Sequence, residues 1–332
     1  MANSAFQKQN ISTPVSVANG GTGASTAAAA RANLGITSTG PVVRVYTVPA
    51  PAWYGDSTTR IDITNTGGST WRYTWDGTGT NPNINTTNFP VGASVYIAGY
   101  FMNPANKGVY LITGSGTNYF EVTNASGTSD LDQLLGGANT LGVYASQTWT
   151  KPADLKHVEV VLVGGGGGSN GSTSSSSYGG GGSGAGGARK VILAAALGAT
   201  ETVIPGPGGP GDKRGTGTTG GRGGPSSFGS HLSATGGLGG GTSTIVLGGT
   251  ATGGDINVPG GYGIDGGADT SDTRGWGGDA PFGLGFGGRS SGSTYQSSTG
   301  YGAGAQGTRS SGGSDTPGND GQPGVVQVTE YY

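Results

Sequence analysis

Cysteine is absent from this chain of 332 residues. Without thiols the chain can form neither disulfide bonds nor thiolate metal sites, so its order must come from hydrogen bonding or from association with other chains. Histidine is almost as scarce, with only His157 and His231. Ser230 precedes His231, but neighbours in sequence rarely point at each other, and the sequence offers neither histidine an oriented acid partner. We therefore expect no catalytic residue and no cofactor.

Charge and long apolar runs are also missing. Asp, Glu, Lys and Arg make up 10% of the residues, and the formal net charge is -2. No basic run is present that would bind nucleic acid or a membrane surface. No apolar run approaches the roughly 20 residues that a membrane-spanning helix needs. The segment Met1 to Asn10 lacks the apolar core of a signal peptide, so we expect a role outside the cell to follow release by lysis.

Glycine is what the chain has in excess, with 75 residues that lie mostly between Gly164 and Gly324. Many of them recur at every third position, as in Gly181, Gly184 and Gly187, in Gly217, Gly220 and Gly223, in Gly260, Gly263 and Gly266, and in Gly318, Gly321 and Gly324. A period of three matches neither an α-helix nor a strand, but an extended left-handed helix without internal hydrogen bonds. We expect a sandwich of short polyglycine II helices that exchange backbone hydrogen bonds across their glycine faces.

Collagen and a disordered linker are the two other interpretations of this stretch. Collagen needs an unbroken Gly-X-Y register and abundant proline, whereas the register here breaks every few residues and the whole chain has 16 prolines. A disordered Gly/Ser linker fits 172–177 but leaves the interspersed aromatic residues, such as Trp276 and Phe286, unexplained.

The N-terminal segment, residues 1–38, contains Asn19-Gly20-Gly21-Thr22-Gly23-Ala24, an alanine run and Ala32-Asn33-Leu34-Gly35. Thr22 or Ser25 can cap a short helix and Gly35 can end it. About ten residues are too few for a stable isolated helix, so it must dock on copies of itself or on a neighbouring protein. The pattern resembles a short repeat of bacteriophage tail fibre proteins. The resemblance implies a homotrimer that attaches to a phage tail or baseplate protein through residues 1–38.

The second unit, residues 39–146, reads as a small antiparallel β domain. Runs rich in β-branched and aromatic residues are separated by Gly, Asn and Pro turns, and they predict strands at 42–48, 59–64, 70–75, 94–100, 107–113 and 118–123. The run Asp130 to Leu135 predicts one helical turn. Trp71, Tyr73 and Trp75 alternate with polar residues and share one face, which is either core or a surface on which sugars stack.

The third unit, residues 147–332, combines valine-rich strands with the glycine stretch. Strands are predicted at 157–163, 189–193, 201–204 and 325–332, and we expect them to form one small sheet at the base of the glycine helices. Trp149-x-Lys151-Pro152, the valine strand that runs into five glycines, and the terminal Gly-x-x-Gly-Val-Val-x-Val resemble the glycine-rich C-terminal domain of phage tail fibres and adhesins. The resemblance implies a mainly β fold with a polyglycine II sandwich whose far tip contacts a bacterial receptor.

The acidic residues have the chemistry that metal binding and glycan cleavage both need. Gly260-Gly261-Tyr262-Gly263-Ile264-Asp265 matches the start of a calcium-binding nonapeptide, but such sites need tandem copies and only one occurs. Asp265, Asp269 and Asp272 cluster in one loop as turn residues do. Glycosidase carboxylates instead flank a pocket at defined separations. We expect neither a metal site nor an enzyme.

Recognition is the remaining role, and rigid aromatic side chains on loops of a stiff scaffold suit it. The candidate receptor-binding residues are Tyr178, Arg274, Trp276, Phe282, Phe286, Arg289, Tyr295 and Tyr301. The expected function is that of a homotrimeric phage tail fibre, located in the virion, which adheres without catalysis to a host outer-membrane protein, a pilus or a surface glycan. A glycan-depolymerising fibre and a polyglycine II ice-binding protein remain as alternatives.

Overall fold

A computed structural model describes the chain over residues 29–30, 33, 40–136, 139–172, 179–213, 219–241, 245–264, 275–281, 283–284, 299–308 and 316–332. The fold is mainly β, as predicted. Of the predicted N-terminal helix, Ala29, Ala30 and Asn33 are helical, and its predicted caps lie outside the described residues. Within the described ranges, no helix has the length and apolar character needed to cross a membrane.

Within the described residues, the structure has twenty strands and two short 3-10 turns, Pro104–Asn106 and Ala194–Ala196. The first ten strands are β1 (Val42–Thr47), β2 (Ala52–Tyr54), β3 (Arg60–Gly67), β4 (Thr70–Trp75), β5 (Ser94–Ile97), β6 (Gly108–Gly116), β7 (Tyr119–Thr123), β8 (Asp130–Leu134), β9 (Leu141–Tyr144) and β10 (Gln147–Thr150). The others are β11 (His157–Val163), β12 (Gly187–Leu193), β13 (Thr200–Ile204), β14 (Ser226–Phe228), β15 (Leu232–Ala234), β16 (Ala251–Thr252), β17 (Ile256–Val258), β18 (Gly283–Leu284), β19 (Thr299–Gly300) and β20 (Val325–Tyr331).

The middle of the chain forms an antiparallel sheet in the order β2-β9-β5-β6-β7-β4-β3-β8. One hydrophobic cluster takes side chains from both halves of this sheet, which therefore wraps around a single core. Tyr73 and Phe120 stack at its centre, with ring centroids 5.0 Å apart. Tyr73 is fully buried and Trp71 is 9% exposed, so the aromatic face of β4 is core and not a surface for sugars.

The six strands predicted in this unit are all present, but the predicted helical turn is wrong. Residues 130–134 form β8, which pairs with β3 through Arg60 opposite Leu134 and Ile61 opposite Gln133. Pairing with an open sheet edge determines the structure instead, because tertiary contacts override weak local preferences in so short a run.

The four strands predicted for the third unit are also present, but they belong to two sheets. β11, β12 and β20 lie in a sheet of order β1-β20-β11-β12-β17, whereas β13 lies in a sheet of order β10-β13-β14-β15-β16. The two sheets face each other across one core that includes Trp149, Val160 and Phe228. β1 belongs to the sheet that contains β11 and β20, although it lies in the predicted second unit. Its residues Val42 to Thr47 pair antiparallel with β20.

A buried carboxylate lies at the end of this core. The Glu330 side chain is fully buried on β20. It accepts hydrogen bonds from Trp149 Nε1 at 2.8 Å, Arg44 Nε at 2.6 Å and the Tyr332 hydroxyl at 2.7 Å. Burial raises the pKa of Glu330, but the hydrogen bonds from Arg44, Tyr332 and Trp149 outweigh burial and leave the pKa below its ordinary value. Glu330 thus joins β1, β10 and the C-terminus.

Candidate functional site

The region beyond the two sheets consists of ten extended segments that lie side by side. They are numbered in chain order as segment 1 (164–172), segment 2 (179–186), segment 3 (205–212), segment 4 (219–225), segment 5 (235–241), segment 6 (245–250), segment 7 (259–264), segment 8 (275–280), segment 9 (301–308) and segment 10 (316–324). Almost all of their residues are outside helices and strands, and their backbone groups pair from segment to segment. We call the ten together the glycine array.

The backbone of segment 1 changes its hydrogen-bond partner with a period of three. Gly164, Gly167 and Asn170 donate to segment 2, at 2.9 to 3.1 Å. Gly165 and Gly168 donate to segment 4, both at 2.9 Å. Donors to segment 10 are Gly166, Ser169 and Ser172. Successive N–H groups therefore point in three directions that repeat at every third residue.

Two segments lie at the centre of the array. The carbonyl groups of segment 1 accept hydrogen bonds from segments 3, 5 and 9, so segment 1 is bonded to six neighbours. Segment 2 is likewise bonded to segments 1, 5, 6, 7, 8 and 9. The other eight segments form the perimeter. This arrangement satisfies buried backbone groups without a helix or a sheet.

Glycine is required in the centre because backbone atoms from other segments occupy the space of a side chain. A Cβ on Gly165 would overlap the carbonyl oxygen of Pro207, and one on Gly167 would overlap the carbonyl oxygen of Leu238. A Cβ on Gly166 would meet the carbonyl oxygen of Ala303. Backbone of a neighbouring segment cannot move aside as a flexible side chain can, so this close approach depends on the missing Cβ.

The array has a sheet end and a far end. Segment 1 begins directly after β11, and segment 10 leads directly into β20, which fixes the sheet end. The far end lies where Ser172 forms an isolated bridge with Thr316. The connections between segments 1 and 2, 3 and 4, 5 and 6, 7 and 8, and 9 and 10 leave and re-enter the array at the far end. The described ends of these five connections therefore all lie at the far end.

The β domain covers one lateral edge of the array. Val109 N donates to Arg222 O on segment 4 at 3.0 Å, next to a parallel bridge between Gly108 and Arg222. The Tyr96 hydroxyl lies 3.4 Å from Asp320 Oδ1 on segment 10. Burial by this contact raises the pKa of the Tyr96 phenol well above its ordinary value, and the charge of Asp320 adds to the shift. The β domain and the array thus share an ordered interface.

Trp276 and Tyr301 are the two candidate receptor residues that the structure describes, and they lie at opposite ends of the array. Trp276 follows Gly275, whose N–H donates to Gly179 O near the far end. The Trp276 side chain is 48% exposed. Tyr301, which is 38% exposed, precedes Gly302, which packs on Val163 at the sheet end. The structure therefore does not bring these two residues together.

The remaining candidates lie outside the described residues, namely Tyr178, Arg274, Phe282, Phe286, Arg289 and Tyr295.

His231 has an acid partner that sequence analysis missed. Its Nε2 lies 3.2 Å from Glu201 Oε1, and both side chains are largely buried. They lie beside a cleft of about 120 Å³, lined by residues 229–233 with Thr252 and Gly253. No described hydroxyl bonds to the His231 ring, so the pair lacks the nucleophile of a triad. In the described ranges, no group of three or more acidic or histidine side chains is arranged to hold a metal ion.

The glycine-rich part of the chain matches a known protein family. A family described as a glycine-rich domain matches residues 139–330. The chain belongs to this glycine-rich domain family. The match begins before β9 and ends within β20, so it covers the glycine array and every strand of the two facing sheets except β1. Among curated proteins, none matches the chain.

Proposed function

We propose that this member of the glycine-rich domain family is a homotrimeric bacteriophage tail fibre that attaches to the host bacterial surface without catalysis. Residues 1–38 bind a tail or baseplate protein, residues 39–146 form a β domain, and residues 147–332 recognise the host. The protein is located in the virion, at the distal end of the tail.

The observation that carries this proposal is the three-residue repeat of hydrogen-bond partners in segment 1. Its donors return to the same neighbour at Gly164, Gly167 and Asn170. This is the repeat of a polyglycine II helix, which has three residues per turn and a rise of about 3.1 Å. We take the ten segments to be such helices. Backbone bonding in three directions makes the array stiff, and a stiff scaffold limits the ordering entropy that its end loops lose on binding.

The receptor-binding surface in this proposal is the far end of the array, with Tyr178, Arg274 and Trp276. The described ends of five connections lie there, at the end most distant from the two facing sheets. Trp276 is 48% exposed and is flanked by Gly275 and Gly277, which are buried in the array. An exposed tryptophan held by a rigid backbone supplies large contact area at low entropic cost. Three copies in one fibre then add avidity to weak individual contacts.

The N-terminal pattern supports the same assignment from another part of the chain. Asn19-Gly20-Gly21-Thr22-Gly23-Ala24 and Ala32-Asn33-Leu34-Gly35 resemble a tail fibre repeat, and their short helix needs a partner. The described strand β1 lies just after this segment and pairs with β20 in the sheet end of the molecule. Val42, the first residue of β1, lies opposite Glu330, so β1 begins at the end of the sheet that is farther from the glycine array.

Adsorption competition tests the proposal. Purified full-length protein should block adsorption of the phage that carries it, and the block should disappear with host mutants that lack the receptor. Mutants that lack either surface glycans or single outer-membrane proteins identify the receptor class. Host polysaccharide incubated with the protein should keep its length. Failure to compete on a sensitive host would refute attachment, and shortened polysaccharide would establish a depolymerase instead.

A further inference from the structure

One connection of the β domain points in the same direction as the far end of the array. Gly108, the first residue of β6, forms a parallel bridge with Arg222 on segment 4, and Val109 N donates to Arg222 O at 3.0 Å. Segment 4 runs from the far end to β14, and the parallel bridge gives β6 the same direction. Residues that directly precede Gly108 in the chain therefore lie on the far-end side of this contact.

Strand β5 enters the same connection from the other side. It is antiparallel to β6, with Ile97 opposite Gly108, so it runs toward the far end. Residues 98–107, which join β5 to β6, therefore lie where the two strands face the far end. Gly108 is level with Arg222, which lies about 9 Å after Thr219, the first described residue of segment 4. The connection thus lies beside the far end of the array.

A polar network holds the β domain at this level. Asp320 on segment 10 accepts hydrogen bonds from Gly211 N at 2.8 Å and from the ammonium group of Lys213, and the Tyr96 hydroxyl lies 3.4 Å from its Oδ1. Lys213 Nζ also lies 5.9 Å from the centroid of the Tyr96 ring. Lys213 is the last described residue before the connection between segments 3 and 4, so the β domain contacts the base of a far-end connection.

Phe101 projects from the connection between β5 and β6 on a fixed backbone. The Phe101 side chain is 48% exposed. The residue before it donates its backbone N–H to Leu135 O at 2.8 Å, and the residue after it, Met102, is buried in the core of the β domain. Asn103 N donates to Asp130 Oδ2 at 3.0 Å. An aromatic side chain held in this way offers contact area at low entropic cost.

We infer that Phe101 is a second receptor contact, so that one host receptor binds the array through Trp276 and the β domain through Phe101. This inference rests on the host attachment proposed above. Trp276 lies on segment 8, and segments 1 and 2 lie between segment 8 and segment 4. Chains paired by backbone hydrogen bonds lie about 5 Å apart. Phe101 and Trp276 therefore flank the far end on opposite sides, separated by at least about 15 Å.

Contacts this far apart favour a folded protein of the host surface over a glycan. A standard protein interface covers about 800 Å² on each partner, which is wide enough to include both contacts. Aromatic residues are enriched in the cores of such interfaces. A flexible glycan chain would lose ordering entropy over the whole distance between the two side chains. The receptor in this inference is therefore a folded protein.

Adsorption competition with the full chain tests the inference. Phe101→Ala should need roughly a tenfold higher concentration for half-maximal competition. The matched control is Val91→Ala, because Val91 is 63% exposed and precedes β5 at the end that faces away from the far end. It should compete like the natural chain. Thermal unfolding should be unchanged in both variants, because both side chains are largely in contact with solvent.

A covalent label tests the same position by a different route. The natural sequence has no cysteine, so Phe101→Cys carries a polyethylene glycol maleimide at a single site. The labelled protein should lose competition, whereas labelled Val91→Cys should keep it. Binding of the natural chain to host cells should disappear with a host mutant that lacks one surface protein.

Two results would overturn the inference. One is competition at natural strength by Phe101→Ala or by labelled Phe101→Cys while Trp276→Ala has lost it, which leaves host attachment through the far end intact. The other is binding that disappears only with host mutants that lack surface glycans, because the receptor is then not a protein. Failure of the natural chain to compete on a sensitive host refutes the proposed function itself, and the inference with it.

Discussion

The Trp149 indole donates its N–H to Glu330 Oε1 at 2.8 Å, and both side chains are fully buried. Trp149 belongs to the sheet that contains β13, and Glu330 belongs to the sheet that contains β11 and β1. The bond therefore joins the two sheets from which the glycine array extends. Because Arg44 reaches the same carboxylate oxygen from β1, one residue of the C-terminal strand connects three parts of the chain.

Glu330→Gln should lower the free energy of unfolding by about 1–3 kcal/mol, because the amide keeps the shape but loses the charge that Arg44 and Trp149 meet. Urea denaturation of the full chain measures the change. The control is Glu159→Gln, which removes the partner of Arg189 on the outer face of the sheet. That pair is partly exposed, so its loss should cost less than about 1 kcal/mol. Equal losses in the two variants would contradict a special role for Glu330.

The contribution of Glu330 should depend on pH in the acidic range. Its native pKa lies below the ordinary 4.5, so the unfolded chain binds a proton more readily than the folded chain. The stabilisation is complete above pH 4.5 and is lost as the pH falls through the native pKa. Denaturation of the natural chain and Glu330→Gln at a series of pH values should give a constant difference from neutral pH down to about pH 5, which then shrinks. A difference that grows on acidification would contradict a native pKa of Glu330 below its ordinary value.

Gly167→Ala should destabilise the glycine array by about 3 kcal/mol or more, because the methyl group overlaps the carbonyl oxygen of Leu238 and the backbone must shift. Gly198→Ala is the control, since its nearest non-neighbouring atom would be 3.1 Å from the new Cβ. That variant should stay within about 1 kcal/mol of the natural chain. Thermal unfolding measures both. A native-like melting temperature for Gly167→Ala would argue against close packing of the central segments.

Trp276→Ala should weaken adsorption competition while the fold is kept. A central aromatic contact contributes about 2 kcal/mol or more to an interface, which corresponds to roughly a 30-fold higher concentration for half-maximal competition. Trp53→Ala is the matched control, because Trp53 on β2 is 41% exposed and lies in the β domain. The control should compete like the natural chain. If both variants lose competition equally, the far end is not the receptor site.

Local sequence signals located most strands but not their partners. The run 157–163 is rich in valine and precedes five glycines, and β11 has the predicted bounds. β1 was also recognised as a strand, but its partner β20 lies almost at the other end of the chain. No local pattern encodes such a pairing, and β-strand preference depends on the neighbours that a strand finds. The pairing of β8 with an edge was missed for the same reason.

The candidate site was only partly readable from sequence. Glycine at every third position predicted the close packing of segments, because a missing Cβ has a direct steric meaning. Which connection lies at which end depends on the direction of every segment, and the sequence does not give directions. Trp276 and Tyr301 were therefore grouped, although the structure places them at opposite ends. Glu201 beside His231 was missed because 30 residues separate them and the pairing of β13 with β14 brings them together.

The partner repeat in segment 1 limits how the length of this molecule can change during evolution. Removal or insertion of a single residue turns the rest of a segment by a third of a revolution, so every later N–H group faces the wrong neighbour. Triplets leave each later N–H group facing its original neighbour and move the far end by about 9 Å. The length of the array and the sequences of its end loops can then change independently. Added or removed triplets change the length, whereas substitutions in the connections between segments change the loops.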